Sequence, residues 1–399
     1  MPFRERGAVA ERIALFRDFD TGAYSVSELC RLYGVSRETF YVWKRRRENG
    51  EARWFEERSR APLRAPGATP AERISSILAL RRRFPRFGPK KIRARLLLDA
   101  PQTAWPAAST IGDILKREGL IAAKPRRRRP IDRGEIVAGA DAPNGEWAMD
   151  FKGWFRTRDG ARIDPLTLSD TASRYLVDVR ITRQTHDAVK AALTRVFSEI
   201  GLPEAMRSDN GAPFGSTGAG GLSRLSVWLL KLGVEPRFIP PASPQDNGRH
   251  ERMHRTLKEE TARSPAGDRG EQQARFDLFK RVYNEERPHE ALGQTTPASH
   301  WSPPERALPA RIDEPWYDAD HEVRRVRSEG SIKWRGETLF VGEALAGELV
   351  GVAELEKGGH IVRFMGRDLG VIDPALGFHR FAPPRARLRS AVEPERKQD

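Results

Sequence analysis

The sequence predicts a multidomain chain with all-α modules first, a mixed α/β layer sandwich in the centre and a small β-barrel last. Three observations carry that reading. Helical spacing with capping residues dominates to about residue 122, strand-like runs alternate with helices from Gly145 to about 305, and Gly-punctuated strands fill 332–372. At 399 residues the chain exceeds one typical domain, two to four being the ordinary expectation.

The elements follow in order. Residues 8–19 alternate apolar and charged groups at helical spacing. Ser25 and Glu28 have the S-x-x-E form of a capping box and open a helix through Leu29, Leu32 and Tyr33. Cys30 falls on its apolar side and reads as a core thiol. Gly34 permits a tight turn, Ser36 can cap the next helix, and that helix runs over 37–47. Helix, Gly turn and helix suit a helix-turn-helix domain over 1–58, its second helix in the major groove presenting Arg37, Tyr41, Lys44 and Arg45. The bland alternative is a helical hairpin with a solvated basic face. A Pro/Arg/Ala-rich stretch then reads as a linker.

Thr69, Pro70 and Glu72 mark a further helix start, continued by Ile74, Ile77, Leu78 and Leu80. A second helix begins near Phe87, and a third spans 109–118 and stops at Gly119. Together they suggest a second helix-turn-helix-like domain over 69–122. A basic linker over 123–144 contains K-P-R-R-R-R-P at 124–130, which either tracks phosphates or stays unstructured. The core, 145–305, opens with strands near 147–155, 162–169 and 174–182. A helix over 187–200, a strand at 204–207, a helix over 222–232, a strand at 234–239 and a helix over 247–262 complete it. The small β-barrel is expected over 315–380, and the Pro/Arg/Glu-rich tail at 381–399 is expected to be disordered.

Composition narrows the function. Seventy Lys+Arg against 55 Asp+Glu give a net charge of +15, which suits a polyanion whose counterions are released on binding. No apolar run approaches the ~18 residues of a membrane span, and the charged start lacks a secretory core, so a cytoplasmic protein with access to DNA is expected. One cysteine excludes an internal disulfide, and the lack of Cys/His clusters excludes a structural zinc site.

Three acidic motifs stand in the core: W-A-M-D-F at 147–151, R-S-D-N-G at 207–211 and Q-D-N-G-R-H-E at 245–251. Each presents one carboxylate at an element's edge: Asp150, Asp209 and Glu251. Carboxylates gathered on one surface make the oxygen-rich site that Mg²⁺ prefers, and beside a large positive charge they point to metal-assisted chemistry on a phosphodiester. Singly, each acid reads as a surface group at an element end; the ordered set carries the catalytic reading. Glu251, Arg255 and Lys258 share one helical face, so the two cations are candidates to hold a DNA backbone. Asn247 suits the helix start as a cap. His250 and His254 read as packing or surface groups and Asp170 as structural. Trp147, Phe151 and Trp154 read as sheet core.

These motifs resemble the integrase-core branch of the DDE transposases and retroviral integrases, of ribonuclease H-like fold. The resemblance rests on an Asp followed by an aromatic at 150–151, S-D-N-G at 208–211, P-Q-x-N-G-x-x-E-R at 244–252, and Y-N-x-x-R-P-H-x-A-L at 283–292 with Thr296-Pro297 beyond. It covers about 145–301 and most resembles the transposases of bacterial insertion sequences. It implies a ribonuclease H-like core holding two Mg²⁺ ions, with Mn²⁺ as a substitute. Asp150 would bridge both ions, Asp209 would bind one and Glu251 the other. It further implies strand cleavage at terminal inverted repeats, then strand transfer into target DNA, by a homo-oligomer working in the bacterial cytoplasm at the nucleoid. A catalytically silent, transposase-derived DNA-binding protein is the alternative. One departure is visible: 41 residues separate Asp209 from Glu251, more than in much of the family. The surplus lies at 215–221, expected as a surface loop that costs little closure entropy.

Overall fold

The structure is a computed structural model that describes residues 7–57, 68–121, 141–216, 218–239, 248–356, 358–373 and 377–381. Most of the basic stretch at 123–144, and the tail after 381, lie outside the described residues. Two compact units divide after Pro70.

In the first unit, α1 (Ala8–Asp20), α2 (Val26–Leu32) and α3 (Arg37–Glu48) enclose Leu15, Phe16, Cys30 and Phe40. Phe16 and Phe40 stack with ring centroids 5.1 Å apart. The capping box closes as its sequence predicts. The Glu28 carboxylate accepts from the Ser25 backbone at 2.8 Å, and Ser25 Oγ accepts from the Glu28 backbone at 3.4 Å. Gly34 takes φ 65°, where a side chain would be strained, and lets Val35 N–H donate back to Cys30 O at 3.0 Å. Ser36 Oγ then accepts from Thr39 N–H at 3.1 Å and starts α3.

The second unit begins with α4 (Ala71–Arg83), α5 (Pro89–Asp99) and α6 (Ala108–Arg117), packed around Ile77, Phe87, Ile92, Ile111 and Leu115. Its central sheet contains β1 (Trp147–Phe151), β4 (Pro165–Asp170), β5 (Leu176–Ile181), β6 (Ala205–Ser208) and β7 (Glu235–Phe238). The short hairpin of β2 (Phe155–Arg156) and β3 (Arg162–Ile163) stands apart. Strand order is β5-β4-β1-β6-β7, with β4 antiparallel to β1 and β5, and β6 parallel to β1 and β7. On one face Trp147, Met149, Leu168 and Met206 pack on α7 (His186–Glu199) and α8 (Arg224–Lys231). On the other, Leu176, Val179 and Ile181 pack on α9 (Gly248–Leu257) and α10 (Arg269–Arg281). The result is the three-layer, ribonuclease H-like sandwich. The helical module docks on it: Arg83 pairs with Glu286 at 2.7 Å and Lys90 with Glu290 at 2.8 Å, while the Arg287 guanidinium lies over Phe87 at 5.6 Å.

Three expectations are corrected. The C-terminal strands form an open sheet rather than a closed barrel. The ladder runs from β14 (Gly377–Arg380) through β13 (Arg367–Asp373), β12 (His360–Phe364) and β11 (Leu349–Glu354) to β8 (His321–Arg325). The hairpin of β9 (Ser331–Trp334) and β10 (Glu337–Phe340) covers the same core as a separate two-stranded sheet. Val326 still bonds Glu348 beside β11, and the chain then turns off the ladder as Arg327 N–H donates to Ser331 O.

The 215–221 stretch is not a free surface loop. Ala219 and Leu222 are buried with Val227, Leu230, Phe364 and Leu369, so the surplus residues seat the C-terminal sheet on the core. Gly220 has φ 62° and passes close to Leu369. Third, Trp154 is 59% exposed, because β1 ends at Phe151 and carries the chain past the core; Arg162 lies over the ring at 5.2 Å. Trp147 and Phe151 do pack in or against the core.

Candidate active site

Alternation along β1 decides where its acid goes. Trp147 and Met149 point into the α7/α8 core, so Ala148 and Asp150 point to the opposite face. Asp150 sits near the C-terminal end of the strand with its side chain 24% exposed. In the parallel neighbour, Met206 lies opposite Trp147 and Arg207 opposite Ala148. Asp150 lies two residues beyond Ala148, and Asp209 two beyond Arg207. Asp209 follows directly on β6 and is exposed. Its carboxylate accepts from Gly211 N–H at 3.1 Å, and Asn210 ties the turn to Ile239 O at 2.8 Å.

Helix α9 lies across this face. His250, Met253, His254 and Leu257 form its buried stripe, while Glu251, Arg255 and Lys258 are exposed. Among the described residues one group of carboxylate and imidazole ligand atoms lies within 4.8 Å of one another, and it consists of Asp150, His250 and His254. Asp209 and Glu251 are not in that group. The approach to α9, including Asn247, lies outside the described residues. His254 Nδ1 is 3.8 Å from Asp150 Oδ2. Thr167 Oγ1, across from Asp150 in β4, bonds the Asp150 backbone carbonyl at 3.0 Å, His250 Nε2 at 2.8 Å and His254 Nε2 at 2.7 Å. Ser169 Oγ bonds His250 Nδ1 at 3.0 Å.

The electrostatics follow from burial. His250 is pushed down to about 3 by loss of solvent and then by Arg207. His254 is pushed to about 2 by burial, then by His250 and Lys152. Both rings are neutral at physiological pH. Lys152 is held below the ordinary lysine range, mainly by burial and next by the Lys258 charge, with Asp150 opposing. Lys258 is thus within electrostatic reach of the site. Beneath it, buried Glu146 is shared by Arg207 at 3.3 Å and Arg237 at 3.1 Å, which fixes the β6–β7 side of the sheet.

Of the other anticipated residues, Arg37, Tyr41 and Arg45 are exposed at four-residue intervals on one face of α3. Lys44 is half-buried, 5.5 Å from the Phe19 ring and 3.4 Å from Glu48. Asp170 is structural: almost wholly buried, it accepts from the backbones of Asn144 at 2.8 Å and Ser173 at 2.7 Å. Sequence reasoning missed Lys152 and Thr167. It also set His254 aside; a histidine three residues after an acid on an amphipathic helix was the available signal.

The facing carboxylate oxygen of Asp150 and imidazole nitrogen of His254 are donors suited to divalent cations. Two integrase core domain families match residues 140–244 and 232–297, and a helix-turn-helix domain family matches 11–53. The Insertion element IS476 uncharacterized 39.2 kDa protein of Xanthomonas euvesicatoria is 25% identical over 296 residues, covering 72% of this chain and 75% of the relative. The Insertion element IS407 uncharacterized 31.7 kDa protein of Burkholderia multivorans is 29% identical over 189 residues, 46% of this chain and 65% of the relative. The catalytic core domain of BIV integrase aligns with a TM-score of 0.30 and 22% identity, covering 39% of this chain and 92% of that one. No helix among the described residues is long and apolar enough to cross a membrane. Integrase core domain matches thus span all three acids, a helix-turn-helix match lies ahead of them, and the chain is similar to proteins of bacterial insertion elements.

Proposed function

We propose that this protein is an active transposase that binds the terminal inverted repeats of its element, cuts DNA there and joins the freed ends to target DNA. The observation that supports the reading is Asp150 near the end of β1, facing His254 of α9, with Asp209 following directly on the parallel neighbour β6. Asp150, Asp209 and Glu251 are the catalytic residues and the ligands of two Mg²⁺ ions, with Mn²⁺ as a substitute. Such ions supply Lewis acidity toward the phosphodiester when bound.

The chain's own residues do the rest. Arg255 in α9 and Lys258 just after it, both exposed as Glu251 is, hold the DNA backbone; Asn247, a further candidate for that contact, lies outside the described residues. Arg37, Tyr41, Lys44 and Arg45 read the element end from the major groove, within a domain spanning 1–58. The module at 69–122 adds contacts to the same end, 145–305 is the catalytic domain, and 315–380 is the C-terminal strand domain. In the first step water attacks phosphorus, the P–O3′ bond breaks and the element's 3′ end leaves as a hydroxyl. That hydroxyl then attacks a target phosphodiester and displaces a 3′-hydroxyl there. Two ends must be held together, which calls for a homo-oligomer on DNA, in the cytoplasm at the nucleoid.

The test uses labelled DNA flanking the gene, Mg²⁺ or Mn²⁺, and wild type beside Asp209→Asn. Metal-dependent cutting and joining at discrete ends is expected, lost in the variant while end binding persists. Sequence-specific binding with no cutting by wild type would overturn the catalytic reading.

A further inference from the structure

One hydroxyl sets the protonation of two rings. A threonine hydroxyl has a single proton to give and two lone pairs to receive. Thr167 Oγ1 has three partners: the Asp150 carbonyl at 3.0 Å, His250 Nε2 at 2.8 Å and His254 Nε2 at 2.7 Å. The carbonyl can only accept, so it takes the proton. All three contacts are then hydrogen bonds only if both imidazoles carry their proton on Nε2. His250 is thereby saturated, because its bare Nδ1 accepts from Ser169 Oγ–H at 3.0 Å. His254 is not. Its bare Nδ1 faces Asp150 Oδ2 across 3.8 Å, acceptor toward acceptor.

Such a pair is stabilised by a cation or a proton donor between its members. Two donors on one ion, with bonds of about 2.0–2.2 Å, stand roughly 3–4 Å apart. The ligand atoms of Asp150, His250 and His254 lie within 4.8 Å of one another. We propose that His254 Nδ1 is a nitrogen ligand to the divalent ion held by Asp150, and that His250 is a positioning residue, not a ligand. Thr167 supplies the support that metal-binding histidines use, by accepting from the other ring nitrogen and fixing the tautomer. A mixed nitrogen–oxygen set favours Mn²⁺ and later first-row ions over Mg²⁺ more than carboxylates alone do.

The inference rests on the metal-dependent reading above, and the experiment separates the two. The full-length protein is titrated with Mn²⁺ alone and examined by pulsed electron paramagnetic resonance for imidazole nitrogen coupling. Wild type and His250→Gln should show the coupling. His254→Gln keeps an amide for Thr167, and it should lose the coupling and bind Mn²⁺ about tenfold or more weakly. Should it melt early without metal, His254→Asn gives the same readout. Absence of coupling in wild type, or its survival in the folded His254 variant, overturns the inference. If Asp150→Asn then still loses Mn²⁺ binding and DNA cutting, the transposase reading stands without it; if Asp150→Asn cuts like wild type, that reading falls.

Discussion

Lys258 stands seven residues beyond Glu251 on the exposed side of α9, and its charge is felt at Lys152 beside Asp150. On the proposed reading a cation there meets DNA phosphate. Lys258→Ala should weaken binding to all sequences alike and lower the slope of log affinity against log salt by about one. A slope equal to wild type would remove Lys258 from the phosphate contacts. Lys91 in α5 makes a different prediction. It is pushed down to about 8, first by burial and then by Arg287, with Glu260 and Glu290 opposing. Because the folded value lies below the unfolded one, the ammonium costs stability at neutral pH, and that cost fades as pH rises from about 8 toward 10.5. Lys91→Met should therefore stabilise the second unit by roughly 1–3 kcal/mol at pH 7, and the gap should close above pH 10. Denaturant melts of both proteins at the two pH values decide it; a gap independent of pH would refute the buried-ammonium account.

Elements were legible in the sequence where chemistry is local. Ser25, Glu28 and Ser36 cap α2 and α3 as their spacing predicts, and Trp147, read as sheet core, is buried there. Helix α10 was harder, since Arg269–Arg281 carries only Phe276, Leu278 and Phe279 as large apolar residues and Leu278 faces solvent. Its one local signal is Asp268, which caps Glu271 at 2.9 Å. The tie between His254 and Thr167 is not a local signal, because Thr167 comes from β4, 87 residues away. The seat of the C-terminal sheet was missed for a similar reason: a Gly-rich run reads as a loop until Leu369 and Phe364 cover it. That seat is testable. Leu222→Ala should cost about 2–4 kcal/mol, the range for emptying a buried leucine site. The loss should appear as faster hydrogen exchange in β13 and easier proteolysis over 301–320, with the helical module unaffected. Uniform loss of protection across the second unit would mean the seat belongs to the main core instead.

At the scale of the molecule, the division after Pro70 separates two units that each have an apolar core, Leu15, Phe16 and Phe40 in one, Trp147 and its neighbours in the other. A chain begun at residue 68 should therefore fold and keep the proposed metal site. It also keeps the basic residues around α9 and in the helical module, so it should still bind DNA in a strongly salt-dependent way. What it loses is the exposed row of Arg37, Tyr41 and Arg45, the groups proposed to read bases. Specific sites are typically bound about 10³-fold or more tightly than random DNA, a margin that backbone contacts alone do not supply. Deleting residues 1–67 should thus lower the preference for element ends by at least about tenfold, leaving affinity for random DNA within a few-fold of wild type. Competition binding at one fixed salt concentration measures both numbers together. If the truncated chain still selects its ends as wild type does, sequence reading resides in the 71–121 helices or the core, and the α3 assignment falls.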